Sequence, residues 1–258
     1  MIRAITLVAL AALVAGCTGG GPRISQERIK RALVGAPGVA QPSKVVAAEL
    51  AFARAAQEDG QWTAFRAFAA PGAIIHGRKG PVVASTWLSA LKDPEEAVRW
   101  SPDTVWMSCD GSVAVSEGRF REPDGVVGSF VTVWQRQPDR EYLWIYDAAV
   151  RDDPQPAQKA PEEPIGEDEI LVTALESIRG LVADCERPGF ERADAKPAPP
   201  ALAIPEGTRN TVATSRDGTL RWRWEHPGAG QRRFVAEYLT SGSWQVALDQ
   251  PLGAVSTD

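Results

Sequence analysis

Between residues 104 and 147 the chain carries signals that fix how its strands pair. Asp110-Gly111 and Asp124-Gly125 read as two-residue hairpin turns, and a loop at residues 138–141 separates the next two strands. With the same symmetry kept at that loop, counting outward sets every cross-strand partner. Thr104 then faces Glu117, Glu117 faces Thr132, and Thr132 faces Asp147; the next row of that face is Trp106, Val115, Trp134 and Ile145. The opposite face carries Val105, Ser116, Val133 and Tyr146, then Met107, Ala114, Gln135 and Trp144. Both faces are largely apolar. A sheet with one solvated face alternates cleanly between apolar and polar residues, so this sheet requires a covering layer on each side.

One layer is helical. Ser43 is placed to cap a helix in which Val45, Ala48, Phe52 and Ala55 recur at three- and four-residue steps, and Gly60 ends it. A second short helix carries Trp62, Phe65 and Phe68, residues 73–76 read as a strand, and residues 81–91 read as a third helix opened by Pro81. The other layer is assigned to the C-terminal region, where Leu220, Trp222 and Trp224 alternate with Arg221, Arg223 and Glu225 as in a half-buried strand. Residues 231–239 and 244–248 complete a meander. Its wording echoes the first sheet, Ser-Cys-Asp-Gly-Ser-Val at 108–113 against Ser-Arg-Asp-Gly-Thr-Leu at 215–220, which reads as shared turn chemistry rather than duplication.

Pro154, Pro156, Pro161 and Pro164 interleave with charges after residue 151, in a stretch that can bury little. The layout is a leader at 1–16, a tether at 17–42, an α+β domain at 43–150, a Pro-rich linker at 151–169 and a C-terminal β module at 170–258. The expected fold class is α+β: three N-terminal helices packed on a curved antiparallel sheet, followed by a small antiparallel β module.

The leader is a positive start at Arg3, an apolar run at 4–13 too short to span a bilayer, and small residues Ala15 and Gly16 suited to a peptidase groove. Its ending, Val14-Ala15-Gly16-Cys17, resembles the lipobox of bacterial lipoproteins. That resemblance implies cleavage before Cys17 and acylation of its thiol. With ~0.8 kcal/mol per buried CH₂, several chains give lasting attachment to a membrane. Thr18, in place of an aspartate, implies the outer membrane, facing the periplasm. Residues 18–22 form a Gly-rich spacer. Residues 24–34 read as a short helix whose neighbouring charges Arg23, Arg28, Lys30 and Arg31 are either solvated or set against anionic headgroups. Export leaves Cys109 and Cys185 in a compartment that permits disulfides, and spacing leaves open whether they bridge. Two further cysteines and two histidines make no metal-binding spacing, so neither metal nor cofactor is expected. A net charge of -5 with no basic stripe offers nucleic acid no footing.

Three helices, a strand between the second and third, and then a bent antiparallel sheet is an order that resembles the nuclear transport factor 2-like superfamily, with its SnoaL-like domains. Glu49-Leu50-Ala51-Phe52-Ala53, residues 60–68, residues 108–115 and Trp134-Gln135-Arg136 are similar to bacterial members of unknown activity, over residues 43–150. The resemblance implies a cone with an apolar pocket between helices and sheet, in a superfamily holding ketosteroid isomerase-like enzymes and polyketide cyclases beside non-catalytic members. An isomerase-like site needs a carboxylate base and donors aimed at a developing oxyanion. Glu117 and Asp147, on one face with Thr132 between them and ~10 Å apart at ordinary strand spacing, are the carboxylate candidates, with Arg119 placed to pair with a carboxylate. His76 is either a general base at the pocket mouth or a solvated strand end, and His226, before Pro227 in a turn, is given no role. Trp62, Trp87, Trp106 and Trp134 either wall a ligand pocket or pack a core. The leading expectation is a lipid-anchored periplasmic protein, non-catalytic, binding a small apolar ligand or serving as an accessory domain. An isomerase- or cyclase-like enzyme is the alternative, and a structural partner in an envelope complex is the third reading.

Overall fold

The computed structural model describes residues 40–156, 177–185, 197–228 and 231–253. Helix α1, Pro42–Glu58, begins on a proline in its first turn, where a missing N–H is no loss. Ser43 makes no side-chain cap. The buried stripe is Val45, Glu49, Phe52 and Ala56, which shares two residues with the expected stripe and places a carboxylate inside it. Helix α2, Gln61–Phe68, has no cap of its own; Asp93, from the loop beyond the third helix, accepts hydrogen bonds from the Trp62 and Thr63 N–H groups.

The chain then enters strand β1, Ala69–Gly77, and turns through Gly80 into β2, Gly80–Val83. The expected third helix at 81–91 shrinks to the single turn α3, Ala84–Leu88. Pro81 sits on the edge strand, where its lack of an N–H breaks no ladder, and the β-branched pair Val82 and Val83 suits extended backbone. Strands β3, Arg99–Met107, β4, Val113–Arg121, β5, Val127–Arg136, and β6, Tyr142–Arg151, form an antiparallel run. Strand β1 adds to β6 in parallel and β7, Arg179–Val182, adds to β3 in parallel, which completes a mixed seven-stranded sheet of order β2-β1-β6-β5-β4-β3-β7. A separate four-stranded sheet follows from β8, Arg209–Thr214, β9, Leu220–Gly228, β10, Gln231–Thr240, and β11, Ser243–Pro251.

The expected α+β class is therefore overturned. The protein is mainly β, with a mixed seven-stranded sheet, a four-stranded sheet and helices of 17, 8 and 5 residues, in place of three helices packed on a curved antiparallel sheet. The cause is local: the strand expected at 73–76 lengthens to 69–77 and pairs with residues 80–83, which take the start of the helix expected at 81–91 into a hairpin of the sheet.

The register departs from the count at one turn and at one bulge. Thr104 faces Glu117 and Trp106 faces Val115 as counted. Beyond β4, however, Glu122 N–H donates to Val126 O and Gly125 N–H to Glu122 O, so the loop holds three residues, with Gly125 at φ 91°. The extra residue brings Val131 opposite Glu117 and Thr132 opposite Ser116. Shifting a partner by one exchanges faces, so Glu117 and Asp147 lie on opposite sides of the sheet. A bulge after Val133 then pairs Trp134 with Trp144 in place of Ile145.

Each face of the large sheet is covered. On one, α1 and its neighbours pack Phe52, Ala64 and Leu88 against Val105, Met107, Trp134 and Trp144. On the other, the small sheet sets Leu220, Trp222, Trp224 and Phe234 against Trp106, Val115, Val133 and Tyr146. Each fully buried side chain of this size contributes roughly 1.5–3 kcal/mol, and the described residues belong to one compact unit. The two echoing turns meet directly. Asp110 N–H donates to Asp217 Oδ2, Cys109 N–H to Thr219 Oγ1 and Arg216 N–H to Ser112 Oγ, at 2.9, 3.0 and 3.1 Å. Within each turn the serine hydroxyl donates to the aspartate, Ser108 to Asp110 and Ser215 to Asp217. A disulfide between Cys109 and Cys185 fastens the segment after β7 to the first of these turns.

Candidate functional site

The interior between α1 and the large sheet is organised by a residue that sequence reasoning gave no role. Glu49 is fully buried, and its carboxylate accepts hydrogen bonds from Trp100 Nε1 at 2.9 Å, Ser116 Oγ at 2.6 Å and Trp134 Nε1 at 2.9 Å. Burial raises its pKa above the usual carboxylate range in spite of these three donors. A signal for it existed: Val45, Glu49, Phe52 and Ala56 follow the 4-3-4 spacing of a helix stripe, so an acid at its centre is a buried acid. Around the carboxylate the rings close on one another. Phe52 lies 4.8 Å from Phe65, 5.2 Å from Phe68 and 4.9 Å from Trp100, centroid to centroid.

Asp147 belongs to the same side of the sheet, in register with Thr132 and Ser116. Thr132 Oγ1 donates to Asp147 Oδ2 at 3.0 Å. Burial, opposed by that hydrogen bond and reinforced by the charge of Glu49, pushes the Asp147 pKa up to about 7. The native state therefore binds more protons than the unfolded chain from roughly pH 4 to pH 7, and stability falls as pH rises through that window. His76 acts in the opposite sense, since a value lowered to about 3 makes stability fall as pH drops below roughly 6.5. Asp147→Asn isolates the first effect. By urea titration its stability relative to the unaltered protein should rise by about 2–3 kcal/mol from pH 5 to pH 8; an equal difference at both pH values would exclude this protonation.

Glu117 is placed elsewhere. It lies on the opposite face, half-buried, beside a groove of about 300 Å³ lined by Pro102, Asp103, Thr104, Glu117, Ser177, Ile178 and Arg179. Burial and then the neighbouring Asp103 raise its pKa, while Arg179 and Arg119 oppose the rise. Arg179 Nη2 donates to Thr104 Oγ1 at 3.1 Å across the β3–β7 pair. Arg119, expected to pair with a carboxylate, is engaged by Asp152 through both of its Nη atoms. The expected pairing of Glu117 with Asp147 across Thr132 therefore does not form, because the three-residue turn after β4 puts them on different faces.

His76 is buried, with the small sheet packed over the end of β1, so it is no solvated strand end. Its Nδ1 is 2.9 Å from Tyr146 OH and its Nε2 is 3.4 Å from His226 Nδ1, while the Trp224 ring stands 5.3 Å away. His226, given no role from sequence, is thus its direct neighbour; the alternation of Trp222, Trp224 and His226 along β9 was the available signal.

The four tryptophans do not line one pocket. Trp62 and Trp134 join the helix-side core, Trp106 joins the core between the sheets, and Trp87 is 38% exposed with its ring 5.3 Å from that of Trp62. The register shift at the three-residue turn after β4 moves Trp134 to the face opposite Trp106, so no common cavity wall arises. The sequence matches no protein-family model and no curated protein. Among the described residues no group of three or more His, Cys, Asp or Glu side chains is arranged to hold a metal ion, and no helix is long and apolar enough to cross a membrane. The leader, Cys17 and the residue 24–34 helix lie outside the described residues, as does most of the Pro-rich linker.

Proposed function

We propose that this is a lipid-anchored envelope protein that acts by binding, with the groove beside Glu117 as its recognition site. One observation carries the non-catalytic reading. The space between helices and sheet, where an isomerase-like pocket was expected, is occupied by Phe52, Phe65, Trp100 and Trp134, and both oxygens of the Glu49 carboxylate there are engaged by three internal donors. A base in use must reach a substrate proton within hydrogen-bond distance. The described groove at Glu117 is open to solute by comparison, and its volume stands at the lower end of small-ligand sites. Its lining is polar: Glu117 and Asp103 favour an ammonium group, while Arg179 and Thr104 favour an acceptor on the same molecule. The ligand class is accordingly a compact, polar, ammonium-bearing molecule rather than the apolar one expected from sequence. The lipobox ending at Cys17 supports attachment to a membrane through acyl chains.

Isothermal titration with ethanolamine and with free lysine, against acetate as an anionic control, tests the groove. Saturable binding of an ammonium compound is expected, weakened about tenfold by Glu117→Gln, the size of one charge-assisted hydrogen bond. Equal binding by Glu117→Gln, or none at millimolar concentration, sinks the assignment. The same preparation reports on the anchor, since the mature N-terminal peptide should start at Cys17 and carry fatty acid.

A further inference from the structure

At the opposite edge of the large sheet from that groove, the β1–β2 hairpin meets the ends of β8, β9 and β10, and positive charge collects there with no carboxylate counter-ion among the described residues. His76 and His226 stand 3.4 Å apart. Arg209 is the cross-strand partner of His226, and its Nη2 lies 2.8 Å from the position a Cβ would take on Gly80, with His226 Cε1 3.8 Å from the same point. The hairpin glycine, at φ 116°, thus makes the room in which the guanidinium sits beside the imidazole. Behind them is Arg232, 6% exposed. Its Nη1 donates to His76 O and its Nη2 to Leu252 O at 2.6 Å, while its Nε–H is buried with no acceptor.

The rest of the small sheet shows how unusual this is. Its other buried arginines are each matched to a carboxylate, Arg221 to Glu237 at 2.6 Å and Arg223 to Glu225 at 2.6 Å. Among the described residues Arg232 donates to main-chain carbonyls, and no carboxylate pairs with Arg232, Arg209 or Arg78. A buried guanidinium without a partner charge is strongly unfavourable, and an anion from solution is the group that relieves it. After burial, it is the surplus of Arg232, His226 and Arg209 that helps hold His76 neutral, and Arg209 and Arg232 likewise depress His226.

We propose that this cluster is a binding site for a compact oxyanion of the phosphate or sulfate kind, held by Arg209 and His226 with the charge of Arg232 behind them. The site does not depend on the groove at Glu117. Its test is isothermal titration of the full chain with inorganic phosphate at constant ionic strength. Saturable 1:1 binding is expected, weakened about tenfold or more in Arg209→Gln and in His226→Gln, and unchanged in Arg54→Gln, which removes the same charge from an exposed position on α1. Arg209 is exposed, so its replacement leaves the fold in place. Glycerophosphoglycerol separates the sources of the anion: tighter binding of this diester assigns a lipid headgroup, and tighter binding of phosphate assigns a free anion. Identical phosphate affinity in Arg209→Gln and Arg54→Gln, or no saturation at millimolar phosphate, overturns the proposal.

Discussion

Glu49→Ala should destabilise the protein by roughly 3 kcal/mol, because three donors, two of them buried, lose a charged acceptor at once and a donor left without one costs about 1–3 kcal/mol. The donors are Trp100 Nε1, Ser116 Oγ and Trp134 Nε1. Trp134 Nε1 keeps Ser116 Oγ as an acceptor at 3.1 Å, and Ser116 keeps a longer contact with Thr132 O at 3.4 Å, which together recover part of the loss. The informative comparison is Glu49→Gln. Its side-chain carbonyl still accepts hydrogen bonds, but its amide donates and so faces a donor already in place, and an intermediate loss is expected. Urea denaturation at pH 7 reads both variants. A loss below ~1 kcal/mol for Glu49→Ala would mean that the carboxylate network does not stabilise the fold and that the helix-side interior is more adaptable than its packing implies. The result also bears on function, since a Glu49 that holds the core together is poorly suited to act as a base.

Removing the disulfide, as Cys109→Ser with Cys185→Ser, should cost about 4 kcal/mol. The two cysteines are 76 residues apart in sequence, and a cross-link over a loop of that length restricts the unfolded chain by about this amount in the chain-entropy account. The effect should be local as well as global. Around the bridge Ala183 N–H donates to Met107 O, Asp184 N–H to Leu239 O and Gly242 N–H to Asp184 Oδ2, so this short segment stitches the two sheets together. Hydrogen exchange in the double variant should therefore accelerate first at β7 and at the β10–β11 turn, with the centre of the large sheet following. Uniform acceleration across both sheets would show that the bridge acts on the unfolded chain alone.

Much of the layering was readable. Val105 and Trp106 are adjacent and both apolar, as are Val133 and Trp134, and a pleated strand sends such neighbours to opposite faces. From that alone the sheet had to be covered twice, and alternation at 220–225 pointed to the second cover. The misreading of Glu117 traces to one turn. Asp124-Gly125 fits a two-residue hairpin, yet Pro123 before it suits the first corner of a type I turn closed by a left-handed glycine, which is the three-residue loop that forms. The third helix failed for a different reason. A proline followed by apolar residues suits a helix start and an edge strand equally, and only the neighbouring β1 offers the ladder that selects the strand.

Residue order by itself determined which side chains alternate and where the chain can turn, because pleat and turn chemistry act over a few neighbouring residues. Tertiary structure alone decided that Glu49 meets two indoles, that Arg232 donates to the carbonyl of His76, and that Cys109 reaches Cys185. Those contacts join residues from 51 positions apart, in Glu49–Trp100, to 156 apart, in His76–Arg232. Over such separations no local preference operates, and the partner is set by which layers bury their apolar faces against each other.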